Sequence, residues 1–239
     1  LLAERVEVLR GPAALVHGGA VGGVVNVVDQ KIPTALPENG LEGTAELRWG
    51  RAANERAGVV GLTAGKGPLA LRVEGRSRRA GDYRVGAGWS GGRKGDGSFS
   101  ETDTGSIGLS WIGSAGYLGL AYTRQQAQYG LPGHTHGFED CHTHGLGANM
   151  HLHCGGHGHA DHDDHDHDDH DHDHDHDHDH SVPVVDMTSH RWDVRGQWNA
   201  PLKGIEAVRL RASHTRYGHD EIEGDAVATR FRNRAHDVR

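Results

Sequence analysis

The sequence predicts an all-β chain, most of it one antiparallel up-and-down sheet of the kind that closes into a membrane-spanning barrel. Three observations carry that expectation. Apolar residues recur at period two through segment after segment. The connections between segments alternate between tight and long, as the two ends of such a barrel require. No apolar run approaches the ~20 residues of a membrane helix, so any crossing is made by strands.

Composition agrees. Hydrophobic residues are 35% of the 239, below the ~45 to 50% of a soluble domain, and there are 37 glycines. The net charge of −8 is local: 11 of the 33 acidic residues lie between Asp161 and Asp179, and the other 22 are outnumbered by 25 basic ones. The chain begins at Leu1 without a signal peptide and ends at Arg239 in a strand-like stretch, which reads as an internal piece of a longer protein.

From the N-terminus, "ERVEVLRGPAALVHGGAVGGVVNVVDQKIP" (Glu4 to Pro33) predicts a short strand, a turn at Arg10-Gly11-Pro12, a helical turn ending near His17-Gly18-Gly19, and a strand through Val24 to Val28. The paired glycines lack the GxGxxG spacing and no GK[ST] follows, so Gly22 and Gly23 read as close backbone packing rather than a nucleotide loop. From Leu41 the strands follow one another. "TAELRWG" sets Ala45, Leu47 and Trp49 against Glu46 and Arg48, and "LALRVEGR" sets Leu69, Leu71 and Val73 against Arg72, Glu74 and Arg76. "SIGLSWIG", "YLGLAYTRQ", "RWDVRGQW", "VRLRASHTRYG" and "ATRFRNRAHDV" continue the pattern, for about eight strands in all. Tight connections fall at Gly65-Lys66-Gly67-Pro68, Gly113-Ser114-Ala115-Gly116 and Ala200 to Gly204. Longer polar ones fall around Arg51 to Arg56, Ala80 to Thr104, Leu131 to Asp186 and His219 to Asp225. Trp49, Trp111, Tyr117, Tyr122, Trp192 and Trp198 are expected near strand ends, as an interfacial girdle. A secreted β-sandwich is the competing fold, but nothing in it sorts loops by length.

The longest connection holds the chemistry. Asp161 to His180, "DHDDHDHDDHDHDHDHDHDH", has no apolar residue to offset the entropy of ordering, so disorder is expected until a ligand binds. Zinc takes imidazole nitrogen, thiolate and carboxylate, usually four in a tetrahedron. In extended chain, residues i and i+2 point the same way, so each His-x-His offers half a site. His134/His136, His142/His144, His151/His153 and His157/His159 are four such pairs, and His162, His165, His167, His170, His172, His174, His176, His178 and His180 offer more. A second pair, Asp140, Cys141 or Cys154 must complete each site. Cys141 and Cys154 are either ligands or a disulfide of an oxidising compartment, the disulfide being favoured because exposed thiolates oxidise. His219, Asp220 and Glu221, at a strand tip on the same rim, form a further candidate metal site. His17 reads as structural, and His190, His214 and His236 are expected to face the wet interior. The nucleophiles lack any organised triad and no Glu/His pair has zincin spacing, so no enzyme is expected.

"ERVEVLRGPAALVHGGAVGGVVNVV" resembles the end of the plug domain of TonB-dependent outer-membrane receptors. "YGLPGHTHGFEDCHTHG", the His/Asp run and "YGHDEIEGD" resemble the zinc-uptake branch of that family. The resemblance implies part of a transmembrane antiparallel up-and-down β-barrel preceded by the C-terminal end of a plug domain. Residues 1–36 would end the plug, 37–239 would form the first part of the barrel, and 131–186 would be a long, disordered His/Asp-rich external loop. It implies a receptor in the bacterial outer membrane whose cargo is Zn²⁺. Its partners would be the TonB complex, engaged through plug regions preceding this chain, and outer-membrane lipid, with no nucleic acid and no organic cofactor. Imidazole-rich sites also take Cu²⁺ or Ni²⁺, so ligand type alone leaves the metal open. A siderophore, haem or nickel/copper-complex receptor of the same family, and a soluble His-rich storage or chaperone protein, are the alternatives.

Overall fold

The structure is a computed structural model and describes residues 3–10, 23–86, 93–132, 141–144, 151–154 and 182–239. Every regular element among them is a β-strand. β1 (Ala3–Leu9) and β2 (Val24–Asp29) pair antiparallel with each other. β3 (Leu41–Gly50), β4 (Glu55–Lys66), β5 (Leu69–Ala80), β6 (Ser100–Gly113) and β7 (Gly116–Gly130) then run up and down in one sheet. β8 (Cys141–His144) and β9 (His151–Cys154) form a separate small pair. β10 (Val184–Leu202), β11 (Ile205–Glu223) and β12 (Ala226–Val238) rejoin the sheet beside β7, giving eight antiparallel strands with β3 and β12 at its edges. The helical turn expected near His17 lies outside the described residues.

The sorting of connections holds in part: two of the four at the end expected to be long, 51–54 and 224–225, are short turns. Turns at 67–68, 114–115 and 203–204 close one end, and Gly67 and Gly204 take left-handed φ values of 59° and 88°, open to glycine at no steric cost. The other end carries 51–54, 81–99 and 131–183. The last connection there is not the expected loop from His219. β11 continues through Glu223, and Gly224 (φ 59°) with Asp225 forms a tight turn.

The two faces of the sheet differ in the sense opposite to that of a water-soluble fold. On one, the apolar face, Val60, Leu62, Leu71, Val73, Ile107, Leu109, Leu118 and Leu120 are exposed, together with Trp111, Trp192 and Trp198. On the other, Thr63, Arg72, Glu74, Ser106, Ser110 and Asp193 are buried, and Arg72 donates to Thr63 Oγ1 at 2.8 Å and to Glu74 Oε2 at 3.3 Å. Tyr117, expected in the aromatic girdle, pairs with Gln197 on this second face, so it does not belong to the exposed aromatic set. Half-buried Tyr122 and exposed Trp192 do lie on the apolar face, cross-strand neighbours with ring centroids 4.6 Å apart and planes tilted by 41°.

Residues 31–33 cover the second face. Lys31, Ile32 and Pro33 are all buried there. They lie so close over β6 and β7 that a Cβ on Gly108 would collide with the Lys31 carbonyl oxygen, and one on Gly119 with the Ile32 side chain. The two glycines leave a groove where any side chain would hold the segment off. Ion pairs fasten it: Lys31 to Asp29 and Asp193, and Arg195 Nη2 to Asp29 Oδ1 at 3.0 Å.

Candidate functional site

The long strands β10 and β11, 19 residues each, exceed the ~9 to 11 that cross a bilayer, so one end of the sheet rises well clear of the exposed apolar rows. His219 lies in that raised part, on the covered face. Its Nδ1 is 3.0 Å from the Tyr217 hydroxyl and its ring stacks on Phe231 at 5.3 Å, while Nε2 is 3.8 Å from Glu221 Oε1. Tyr217 and Phe231 therefore hold the ring, and the second nitrogen faces a carboxylate. That arrangement presents one imidazole and one carboxylate on rigid strand.

Asp220, grouped with them from the sequence, is on the opposite face, because successive residues of a strand point to opposite sides. There it accepts from Arg232 Nη1 at 2.7 Å and from Arg230 Nε at 3.3 Å. The Arg232 hydrogen bond, with the charge of Arg230 beside it, holds its carboxyl below the usual carboxylate range. It is ionised and already occupied by two guanidiniums. The three-residue metal site thus divides into His219 with Glu221 on one face and an arginine-bound Asp220 on the other.

Within the long connection, β8 and β9 bring together what the sequence kept apart. Their register sets Cys141 opposite Cys154, His142 opposite His153 and His144 opposite His151. In an antiparallel pair, positions 142, 144, 151 and 153 share one face and 141, 143, 152 and 154 the other. Two His-x-His halves, each insufficient alone, meet in register. His134, His136, Asp140, His157, His159 and the run from His162 to His180 lie outside the described residues. Among the described side chains no group of three or more His, Cys, Asp or Glu gathers into a metal site.

His190, His214 and His236, expected to face the interior, lie on the apolar-face side instead. His190 alternates with exposed Trp192 and donates or accepts at Nδ1 with the Tyr122 hydroxyl at 2.7 Å, and His214 stacks on His236 at 4.4 Å. The buried Lys31 cluster went unread in the sequence, where a lysine after a strand carries no sign of burial. No protein-family model matches the chain.

Proposed function

We propose that this chain is part of an outer-membrane, TonB-dependent receptor whose cargo is a metal ion, zinc in first place. The observation that carries the reading is the inverted sheet. Each half-exposed leucine or valine on the apolar face forgoes roughly half of the ~1.5 to 3 kcal/mol that full burial in a soluble core would provide. Lipid contact recovers that, and a wet interior accounts for buried Arg72, Glu74 and Asp193 on the other face. Residues 31–33, docked on that inner face, support the assignment of the N-terminal segment as the end of a plug. The sorting of turns and long connections supports placing 131–183 outside the cell.

In this reading the β8–β9 pair and its His/Asp-rich flank gather the ion. His219 and Glu221, on the inner wall near the rim, receive it, and movement of the plug driven by TonB admits it. Alternating Asp reduces the electrostatic cost of collecting cations and orients imidazoles. No covalent step is involved.

The test is uptake by intact cells making the full-length receptor, with radiolabelled zinc, copper and nickel offered separately. Zinc uptake should depend on TonB and fall at least about tenfold in the His142→Ala/His144→Ala/His151→Ala/His153→Ala variant at limiting metal, the loss of half or more of a tetrahedral ligand set. Uptake indifferent to both TonB and the four substitutions would overturn the proposal, and preference for copper or nickel would change the cargo.

A further inference from the structure

The apolar face changes character along its height, and the change is sorted by strand register. Leu120, Val194, Ala212 and Val238 occupy one cross-strand row over β7, β10, β11 and β12. The next row up is Tyr122, Trp192, His214 and His236, and the one above is Arg124, His190, Arg216 and Arg234. One row higher Arg232 stands opposite Gly218, and two rows higher Arg230 stands opposite Asp220, which takes up both guanidiniums, at 2.7 Å from Arg232 and 3.3 Å from Arg230. Arg124, Arg216 and Arg234 have no carboxylate partner among the described residues. Arg216 uses only Nε, donating to His214 Nε2 at 3.3 Å.

Three arginines without counter-ions are therefore aligned immediately above an aromatic row and an aliphatic belt. Neighbouring strands are ~4.8 Å apart, so Arg216 and Arg234 are close enough to grip one tetrahedral anion, and Arg124 is ~10 Å from Arg216 across His190. A cleft opens at this level, lined by His190, Arg216, Gly218 and Arg234, with Asp186 and the arginine-bound Asp220 two rows up at its far end. It depends on Gly218, where a Cβ would come within 2.8 Å of Arg232 Cδ. Arginine forks match phosphate geometry.

We propose that the Arg124–Arg216–Arg234 row is a binding site for the phosphate groups of an anionic outer-leaflet lipid, whose acyl chains lie along the Leu120/Val194 belt. The occupant is a phosphorylated amphiphile rather than a soluble anion, because the charge is set at the upper margin of the apolar rows, where a headgroup sits when its chains cover those rows. This inference rests on the membrane-barrel reading.

The test uses the full-length receptor in phosphatidylcholine nanodiscs supplemented with lipid A, with retained lipid counted by native mass spectrometry. The wild type should retain lipid A at least tenfold over Arg124→Gln/Arg216→Gln/Arg234→Gln, and dephosphorylated lipid A should bind the wild type no better than the variant. The corresponding triple Lys variant should retain part of the binding, and Arg76→Gln, on the covered face, all of it. Equal retention by wild type and triple Gln variant, both inserted, would overturn the site. Competition by millimolar inorganic phosphate would make it a free-anion site and equally overturn it. Failure of the wild type to enter nanodiscs would instead sink the barrel reading.

Discussion

Lys31 Nζ lies 2.7 Å from Asp193 Oδ2, and both side chains are only 5% exposed. Asp29 completes the cage at 3.2 Å from the ammonium, and Arg191 holds the far side of Asp193 at 3.0 Å. A segment that follows β2 is thus locked to the middle of β10 by charges that water does not screen.

Removing one partner of such a buried pair costs about 3 to 5 kcal/mol, because the other charge is left without compensation. Asp193→Asn should lower stability toward the bottom of that range, since Asp29 remains. Lys31→Met with Asp193→Asn should cost less than the sum of the single changes, by about 0.5 to 3 kcal/mol. Denaturant unfolding of the full-length protein in detergent gives the cycle. Strict additivity would show that the pair is not energetically coupled.

Gly108→Ala should lift residues 31–33 from the sheet while leaving the strands intact, since its Cβ collides with the Lys31 carbonyl. Overpacking of this kind costs ~1 to 3 kcal/mol, so tryptic cleavage after Lys31 should accelerate on the order of tenfold. Gly105→Ala, whose Cβ meets nothing within 4 Å, is the control. Equal cleavage of the two variants would mean that the groove does not hold the segment.

Cys141 stands opposite Cys154 in register, and facing residues of an antiparallel pair have a Cα separation within disulfide range. If this connection lies outside the cell as proposed, the expected state is a disulfide, closing a loop of roughly 15 residues and removing about 3 kcal/mol of chain entropy from the open form. Thiol titration of the oxidatively purified protein should find free thiols only after reduction, and reduction should weaken zinc binding by the four-His face. Free thiols protected by added zinc would assign the cysteines as ligands instead.

Metal capture should weaken in acid. Imidazole binds zinc only when neutral and has an unperturbed pKa of ~6.5, so protons compete below that value. With two or more His per ion, apparent affinity should fall by more than one power of ten per pH unit there. Neighbouring aspartates favour the imidazolium and move the onset to higher pH. Zinc titration of the full-length protein and of a 134–180 peptide between pH 5 and 8 measures the slope. A flat profile would mean that carboxylates hold the ion.

The lower halves of the strands were legible because apolar and polar residues alternate there without a break, as in Leu69 to Arg76. The parity of His190, His214 and His236 was not. From Thr188 to Arg191 on β10, and at Thr215, Arg216, His219 and Asp220 on β11, both faces are polar, so period two leaves no contrast there, and only the register with Tyr122 and Arg124 assigns a side. For the same reason His219 to Glu223 read as loop although it is strand. The meeting of His142/His144 with His151/His153 was half visible: the His-x-His repeats stood in the sequence, but their pairing depends on the chain reversal between them. The burial of Lys31 was invisible, because its partners are distant in sequence and its groove is made by glycines, which leave no hydrophobic signature.

The height of β10 and β11 bears on competition for the ion. From His190 to the start of β10 at Val184 is six residues, about 20 Å along the strand and roughly 15 Å in height for a tilt of ~40°. The Debye length at physiological ionic strength is about 8 Å. Lipid phosphates bound as proposed at the arginine row would therefore lie nearly two screening lengths below the mouth. Anionic headgroups would otherwise concentrate divalent cations along the membrane, in direct rivalry with the proposed imidazole site. In the proposed reading, the tall wall would place capture in a layer where the membrane's charge no longer decides where zinc goes, and the outcome there would be left to ligand chemistry.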